Sequence, residues 1–208
     1  MAILEALNWR YAVREFSDTQ LSEDVVTELI EAARLSPSAY GLQPYRLLVI
    51  SSPQVKEKLL PYAMGQTKIQ DCSHLFIFAT STTIDAQFIE QHFARVEHER
   101  QLEIGALTGF TQHVKEAMLS MSSLQLQHWA ENQVHIALGN VLTASALKKV
   151  DACPMAGFEN HGFDNVLGLA QRGLRSTVIC ALGERAPTDT SADDRKVRLP
   201  INDFCIEI

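Results

Sequence analysis

Residues 130–149, AENQVHIALGNVLTASALKK, set Val134, Ile136, Ala137, Leu138, Val141, Leu142, Ala144, Ala146 and Leu147 around most of a helix's circumference. A surface helix shows a single apolar stripe, so this pattern predicts a helix enclosed on nearly every side. The rest of the chain must supply that enclosure. With 208 residues it can do so as one domain spanning 1–208, because a chain of this size buries roughly 70% of its unfolded surface without disulfides or metal.

Local signals place the other elements. Ser22, followed by Glu23 and Asp24, marks an N-cap with first-turn acids, and Val25, Val26, Leu29, Ile30, Ala32 and Ala33 then recur at helical spacing. Pro37 stops this helix near Leu35, because the residue before a proline is pushed out of the α region. SPSAYGLQP, residues 36–44, is a loop. Tyr45–Ser51, Leu75–Thr80 and Ser176–Leu182 are rich in branched and aromatic residues and predict short buried strands. A helix over Val55–Tyr62 follows Pro53, and a polar helix over Ile84–Leu102 carries Phe88, Ile89 and Phe93 on one side. Residues 105–123 show no clear period, and the tail Ile201–Ile208 alternates like an edge strand. Three or four strands among more helix than a βαβ alternation supplies predict an α+β fold, with helices packed on one small sheet.

Eighteen Lys and Arg against 25 Asp and Glu give a net charge of −7, which argues against nucleic acid as a partner but leaves room for a small anion. Apolar runs such as Leu75–Ala79 fall far short of the roughly 18 residues a membrane span needs. The opening MAILEALNWRYAVREF, with Glu5, does not resemble a secretory leader, so a cytoplasmic protein with no membrane partner is expected. Cys72, Cys153, Cys180 and Cys205 form no C-x-x-C pair and are expected as free, mostly buried thiols, with neither a zinc site nor a disulfide. The chain contains no G-x-S-x-G, H-E-x-x-H, Walker loop or G-x-G-x-x-G. The pairs His92/His98 and His128/His135, six and seven residues apart, are not i, i+4 neighbours and suggest no metal.

Two basic pairs remain. Arg10 and Arg14 in NWRYAVREF would share a face of a helical turn, and Lys196 and Arg198 in RKVRLP would share one side of an extended segment. In an acidic chain such pairs invite a dianionic ligand, although a solvated helix end and a solvated loop would leave the same pattern.

NWRYAVREF, LSPSAYGLQPYRLLVI at 35–50, TKIQDCSHLFIFAT at 67–80, WAENQVHIALGNVL at 129–142, CPMAGF at 153–158 and RKVRLP at 195–200 together resemble the bacterial nitroreductase family. The branch they most resemble is the oxygen-insensitive NAD(P)H nitroreductases and dihydropteridine reductases, and the similarity runs nearly the whole chain. It implies an FMN-binding fold with a small mixed, largely antiparallel sheet flanked by helices around a long central helix. It also implies a homodimer with two shared sites, in which the C-terminal strand is exchanged. By that resemblance Arg10, with Tyr11 and Ala12 beside it, and Lys196 and Arg198 would meet the FMN phosphate or ribityl chain. Arg14 and Lys68 would face the pyrimidine edge of the ring. Ser38, Ala39 and Gly41 would come from the partner loop, while Gln133, Pro154, Met155, Ala156 and Gly157 would lie near the dimethylbenzene side, the ring face and N5.

The sequence departs from the family pattern at Ala12, where a serine is usual, at Ala156, often an acid, and at Gly41, commonly asparagine. The activity implied is NAD(P)H-driven reduction of nitroaromatic, quinone or related small-molecule acceptors by a ping-pong cycle, with no catalytic side chain because the flavin carries the hydride. Enone, pteridine or flavin reduction on the same scaffold, or slow-turnover flavin storage, would share these motifs.

Overall fold

The computed structural model describes residues 2–208. Four strands, β1 (Tyr45–Ile50), β2 (His74–Ser81), β3 (Asp151–Met155) and β4 (Leu174–Gly183), form one sheet in the order β1-β2-β4-β3. Every pairing among them is antiparallel, with Leu75 opposite Ala181 and Cys153 opposite the same residue from the other side. The segment after residue 10 adds the parallel contact that makes the sheet mixed, through a bridge from Ala12 to Ala152, and then an antiparallel bridge from Phe16 to Arg185. β3 contains Pro154, which a ladder tolerates only at an edge where its missing N–H has no partner to fail.

Among the described residues the helices are α1 (Ile3–Trp9), α2 (Glu23–Arg34), α3 (Pro53–Leu59), α4 (Lys68–Asp71), α5 (Ala86–Glu99), α6 (Thr108–Leu119), α7 (Ser123–Leu147), α8 (Asn160–Leu167) and α9 (Ile201–Phe204). The sheet's period of two divides the core. Phe76 and Phe78 point to α2 and α7, where they meet Leu29, Val134 and Val141, while Leu75 and Ile77 point to the other face with Ile69, Cys153, Met155 and Phe163. A third cluster, Ile89, Phe93, Val114 and Met118, joins α5 to α6 and reaches Leu42. No helix among the described residues is long and apolar enough to cross a membrane.

The local signals in the sequence are where the caps sit. Ser22 Oγ accepts from Val25 N, Ser52 Oγ from Val55 N, and Ser122 with Gln125 closes a capping box at the start of α7. At Gly162 in α8 a Cβ would fall 2.2 Å from the Tyr62 ring, so only glycine lets α8 approach that ring.

Three expectations need correction. Residues 10–16 are not helical: the chain leaves α1 extended at Arg10, touches the sheet at Ala12 and Phe16 and bends at Arg14, so Arg10 and Arg14 do not share the face of a helical turn. The tail is one helical turn, Ile201–Phe204, followed by extended residues that pair with no strand among the described residues, and Phe204 and Ile206 are exposed. Alternation makes a strand only where an edge is offered, and within one chain none reaches it. Finally, α7 is buried along one side only, through Ala130, Val134, Ala137, Val141 and Ala146, and leaves Ile136 and Leu147 each 43% exposed.

Candidate functional site

The arm that follows α1 is zipped onto the segment after β4. Ser17 N donates to Glu184 O at 2.8 Å and Ala186 N to Glu15 O at 2.9 Å, while Val13 and Phe16 turn into the core. A buried ion pair fixes the start of this arm. Asp151, 3% exposed, accepts from Arg185 Nη2 at 2.6 Å and Nε at 2.9 Å, and also from Arg185 N. The guanidinium lies between two rings, 4.4 Å from the centre of Trp9 and 4.6 Å from that of Tyr11. Burial pushes the Tyr11 phenol up to about 12, against the opposing charge of Arg185.

Further along the arm, Asp189 Oδ2 accepts from Arg14 N at 2.8 Å and from Glu15 N at 3.2 Å, and its Oδ1 accepts from Ser191 N at 3.0 Å. Burial opposes ionisation of this carboxylate, yet the backbone N–H groups that converge on it hold it below the usual carboxylate range.

Four predicted cations gather at one end of this assembly. Lys196 donates to the carbonyls of Leu7, Asn8 and Arg10, the unsatisfied oxygens at the C-terminus of α1. Burial first, and then the charges of Arg10 and Arg198, pull its ammonium below the usual lysine range. Arg10 Nε is buried without a hydrogen-bond partner. Lys68, the first residue of α4, reaches Cys153 Sγ at 3.5 Å. Burial raises the Cys153 thiol, while Lys68 and Arg10 act in the opposite direction, which places both cations close to β3. Arg198 is exposed and donates to the carbonyl of Val197, and the Arg14 side chain is exposed at the end of the arm.

Beyond β3, Ala156 and Gly157 are exposed while Met155 is buried and Pro154 half-buried. Gln66 Nε2 donates to Gly157 O at 2.7 Å and sets this turn beside the start of α4. Ala12, exposed, reaches the same strand through its bridge to Ala152.

The remaining predicted residues lie elsewhere. Ser38, Ala39 and Gly41 form a tight turn in which Tyr40 and Gly41 both take positive φ, 56° and 71°. Ser38 Oγ accepts from Gln43 N, and Gln133 Oε1 accepts from Ala39 N at 2.8 Å. Gln133 therefore belongs with this loop on the α2/α7 side of the sheet and not with Pro154–Gly157. A Cβ on Gly41 would stand 3.5 Å from the His92 ring, an ordinary contact, so it is the positive φ of 71° that favours glycine there. A cavity of about 440 Å³ lined by Thr80, Ile84, Leu126 and Arg175 lies at the far end of β2 and includes none of these residues.

Sequence reasoning missed Asp151, Arg185 and Asp189. Asp189 sits in the polar run APTDTSADD, whose acids have the look of a solvated loop, and its partners on the arm, Arg14 and Glu15, are more than 170 positions away.

A model of the nitroreductase family matches residues 7–184. The chain is 34% identical to "Putative NAD(P)H nitroreductase YfkO" of Bacillus subtilis over 88% of each chain. It is 30% identical to a Staphylococcus haemolyticus protein that bears the same "putative NAD(P)H nitroreductase" description, over 97% of this chain and 94% of that one. Among solved structures, a nitroreductase from Exiguobacterium sibiricum crystallised in complex with FMN superimposes with a TM-score of 0.85 at 20% identity, over 100% of this chain and 98% of that one.

Proposed function

The chain belongs to the nitroreductase family, and from that premise we propose that it is an FMN-dependent oxidoreductase that uses NAD(P)H to reduce nitroaromatic, quinone or related small acceptors. The observation that carries this reading is the crowding of cations at the end of α1. Lys196 is destabilised as an ammonium by burial, Arg10 and Arg198, and Arg10 holds a buried Nε with no partner. A phosphate dianion answers both features, since it offsets like-charge repulsion and gives a planar guanidinium the oxygens it lacks. These residues fit the phosphate of FMN.

Bound there, FMN would supply the two-electron carrier between reduced nicotinamide and an acceptor that takes its place in the same cleft, the order of a ping-pong cycle. The chain's own contribution is placement and charge. Arg10 and Arg198 would hold the phosphate end, and Lys196, whose three N–H groups go to carbonyls of α1 and Arg10, would act there through its charge, with Tyr11 and Ala12 along the ribityl chain. Arg14, on the pinned arm, and Lys68, braced against Cys153, would fix positive charge at the pyrimidine edge and so favour the more negative redox state. Pro154, Met155, Ala156 and Gly157 would form the wall behind the ring. Ser38, Ala39 and Gly41 would reach the site from the second copy of a homodimer, and Gln133 with them, because it bonds to that loop. The setting proposed is the cytoplasm.

The test is to purify the full chain, denature it and chromatograph what it releases. One FMN per chain is expected, with the flavin colour bleached rapidly by NADH or NADPH in a stopped-flow instrument. FAD, or a colourless protein that refuses added FMN, would overturn the cofactor, and flavin that bleaches only over minutes would favour storage over turnover.

A further inference from the structure

We infer that Asp189 is a positioning residue for the cofactor clamp, one carboxylate that holds together the two basic segments from which the clamp is built. The inference rests on the functional reading above and concerns how this chain sets the place of its own cations. Arg10 and Arg14 stand on the arm after α1, whereas Lys196 and Arg198 stand near the C-terminus. Asp189 bonds to both sides. Its Oδ2 takes the backbone N–H of Arg14 and of Glu15, and its Oδ1 takes Ser191 N, at the start of the turn Thr190–Asp193 that leads to Arg195–Arg198.

The chemistry of the site calls for such a group. The arm meets the sheet only at isolated bridges, at Ala12 and at Phe16, so the N–H groups of Arg14 and Glu15 between them have no ladder to join. These two bonds are part-buried, where donors without partners are costly, and a charged acceptor gives the strongest bonds available to them. A carboxylate 7% exposed is itself expensive unless several donors surround it. Each requirement meets the other, and the result is an arm whose backbone is fixed at the residue where Arg14 leaves it. Thr188 Oγ1 adds a bond to Glu15 Oε2 at 2.7 Å, from the residue next to Asp189. The Arg14 side chain is exposed, so where its guanidinium can reach depends on where its backbone is held.

The experiment compares wild type, D189N and D189A. In FMN-free protein, amide hydrogen exchange at Arg14, Glu15 and Ser191 should be slow in wild type and fast in D189A. FMN titration should show a Kd at least about tenfold higher in D189A, the cost of roughly one charge-assisted bond. The midpoint potential of the bound flavin should move negative, as a cation displaced from the pyrimidine edge no longer favours the reduced state. D189N keeps one carbonyl oxygen for the Arg14 and Glu15 N–H groups and turns its amide toward Ser191 N, so it should fall between the other two in all three measurements. It also keeps the question answerable if D189A does not fold. A role confined to stability would lower the melting temperature and leave the potential of the bound flavin where it is in wild type. Wild-type affinity and potential in D189A, or wild-type exchange rates at Arg14 and Glu15, would overturn the inference. A wild-type protein that took up no FMN would instead overturn the functional reading, and the exchange rates would then still decide whether Asp189 holds the arm.

Discussion

Replacing Arg185 by methionine tests how the start of the arm is held. Met keeps an apolar stem of similar length between Trp9 and Tyr11 but removes the charge that Asp151 faces at 2.6 Å. Asp151 is left 3% exposed with a single backbone donor, the N–H of residue 185. Removing one partner of a buried ion pair costs about 3–5 kcal/mol, because the other charge stays behind unpaired. The Arg185 side chain is 24% exposed, so part of its field already passes through water and the lower end, about 3 kcal/mol, is the expected loss. The assay is equilibrium urea denaturation at fixed protein concentration, so that any self-association enters every comparison equally. A second variant, D151N/R185M, removes the stranded charge and should recover a good part of the loss. A loss below about 1 kcal/mol for R185M, or a double variant worse than the sum of the two singles, would refute the pair as the arm's anchor.

Three further outcomes are expected. K196A/R198A should raise the FMN Kd at least about tenfold, as one charge-assisted bond is lost, and unchanged affinity would mean that these residues serve only α1 and solvent. Tyr11, raised by burial to about 12, should keep its proton well past the ordinary tyrosine range; its stabilising effect is then complete below about pH 10 and lost as pH rises through about 12, a slope that Y11F lacks. An ultraviolet titration in which wild type and Y11F differ near pH 10 would contradict this. Deleting residues 201–208 should weaken dimer association and FMN retention together, read by sedimentation and flavin absorbance, and a truncated dimer with full FMN content would rule out an exchanged tail.

What the sequence made legible was local. α2 begins and ends where Ser22 and Pro37 say it does, because a cap and a proline act on adjacent backbone. The central helix was legible from its apolar coverage, although the side bearing Ile136 and Leu147 stays open in a single chain. Periodicity misled where two periods coincide. Arg10 and Arg14, four apart, share a side in a helix and in a strand alike, and only the bridges at Ala12 and Phe16 decide between them. β3 was visible as the motif CPMAGF and not as a strand, since Pro154 argues against a ladder unless the strand is known to be an edge. The groups that fix the arm were illegible for a different reason: Asp189 and Arg14 are 175 positions apart, and nothing local in APTDTSADD distinguishes a carboxylate that ends in the interior from its solvated neighbours.

The placement of the site residues bears on why one chain would not suffice. Arg10, Lys68 and Lys196 gather on the side of the sheet that holds Ile69, Cys153 and Met155. The Ser38–Gly41 turn is tied through Ala39 to Gln133 of α7, whose neighbours Val134 and Ala137 pack on the opposite side with Phe76 and Phe78. The sheet stands between the two sets, so a ligand held by the first within one chain does not touch the second. If both sets serve one cofactor, as the resemblance implies, a second copy must deliver the turn, and its delivery is then rigid, because Gln133 fixes the turn to the longest helix in the fold. The open side of that helix, at Ile136, Gly139 and Leu147, and the exposed apolar tail at Phe204 and Ile206 are the surfaces a second copy would cover. On this reading association and cofactor retention are one equilibrium, and a substitution that opens the α7 face, such as Ile136→Lys, should release FMN while leaving Arg10, Lys196 and Asp189 in place.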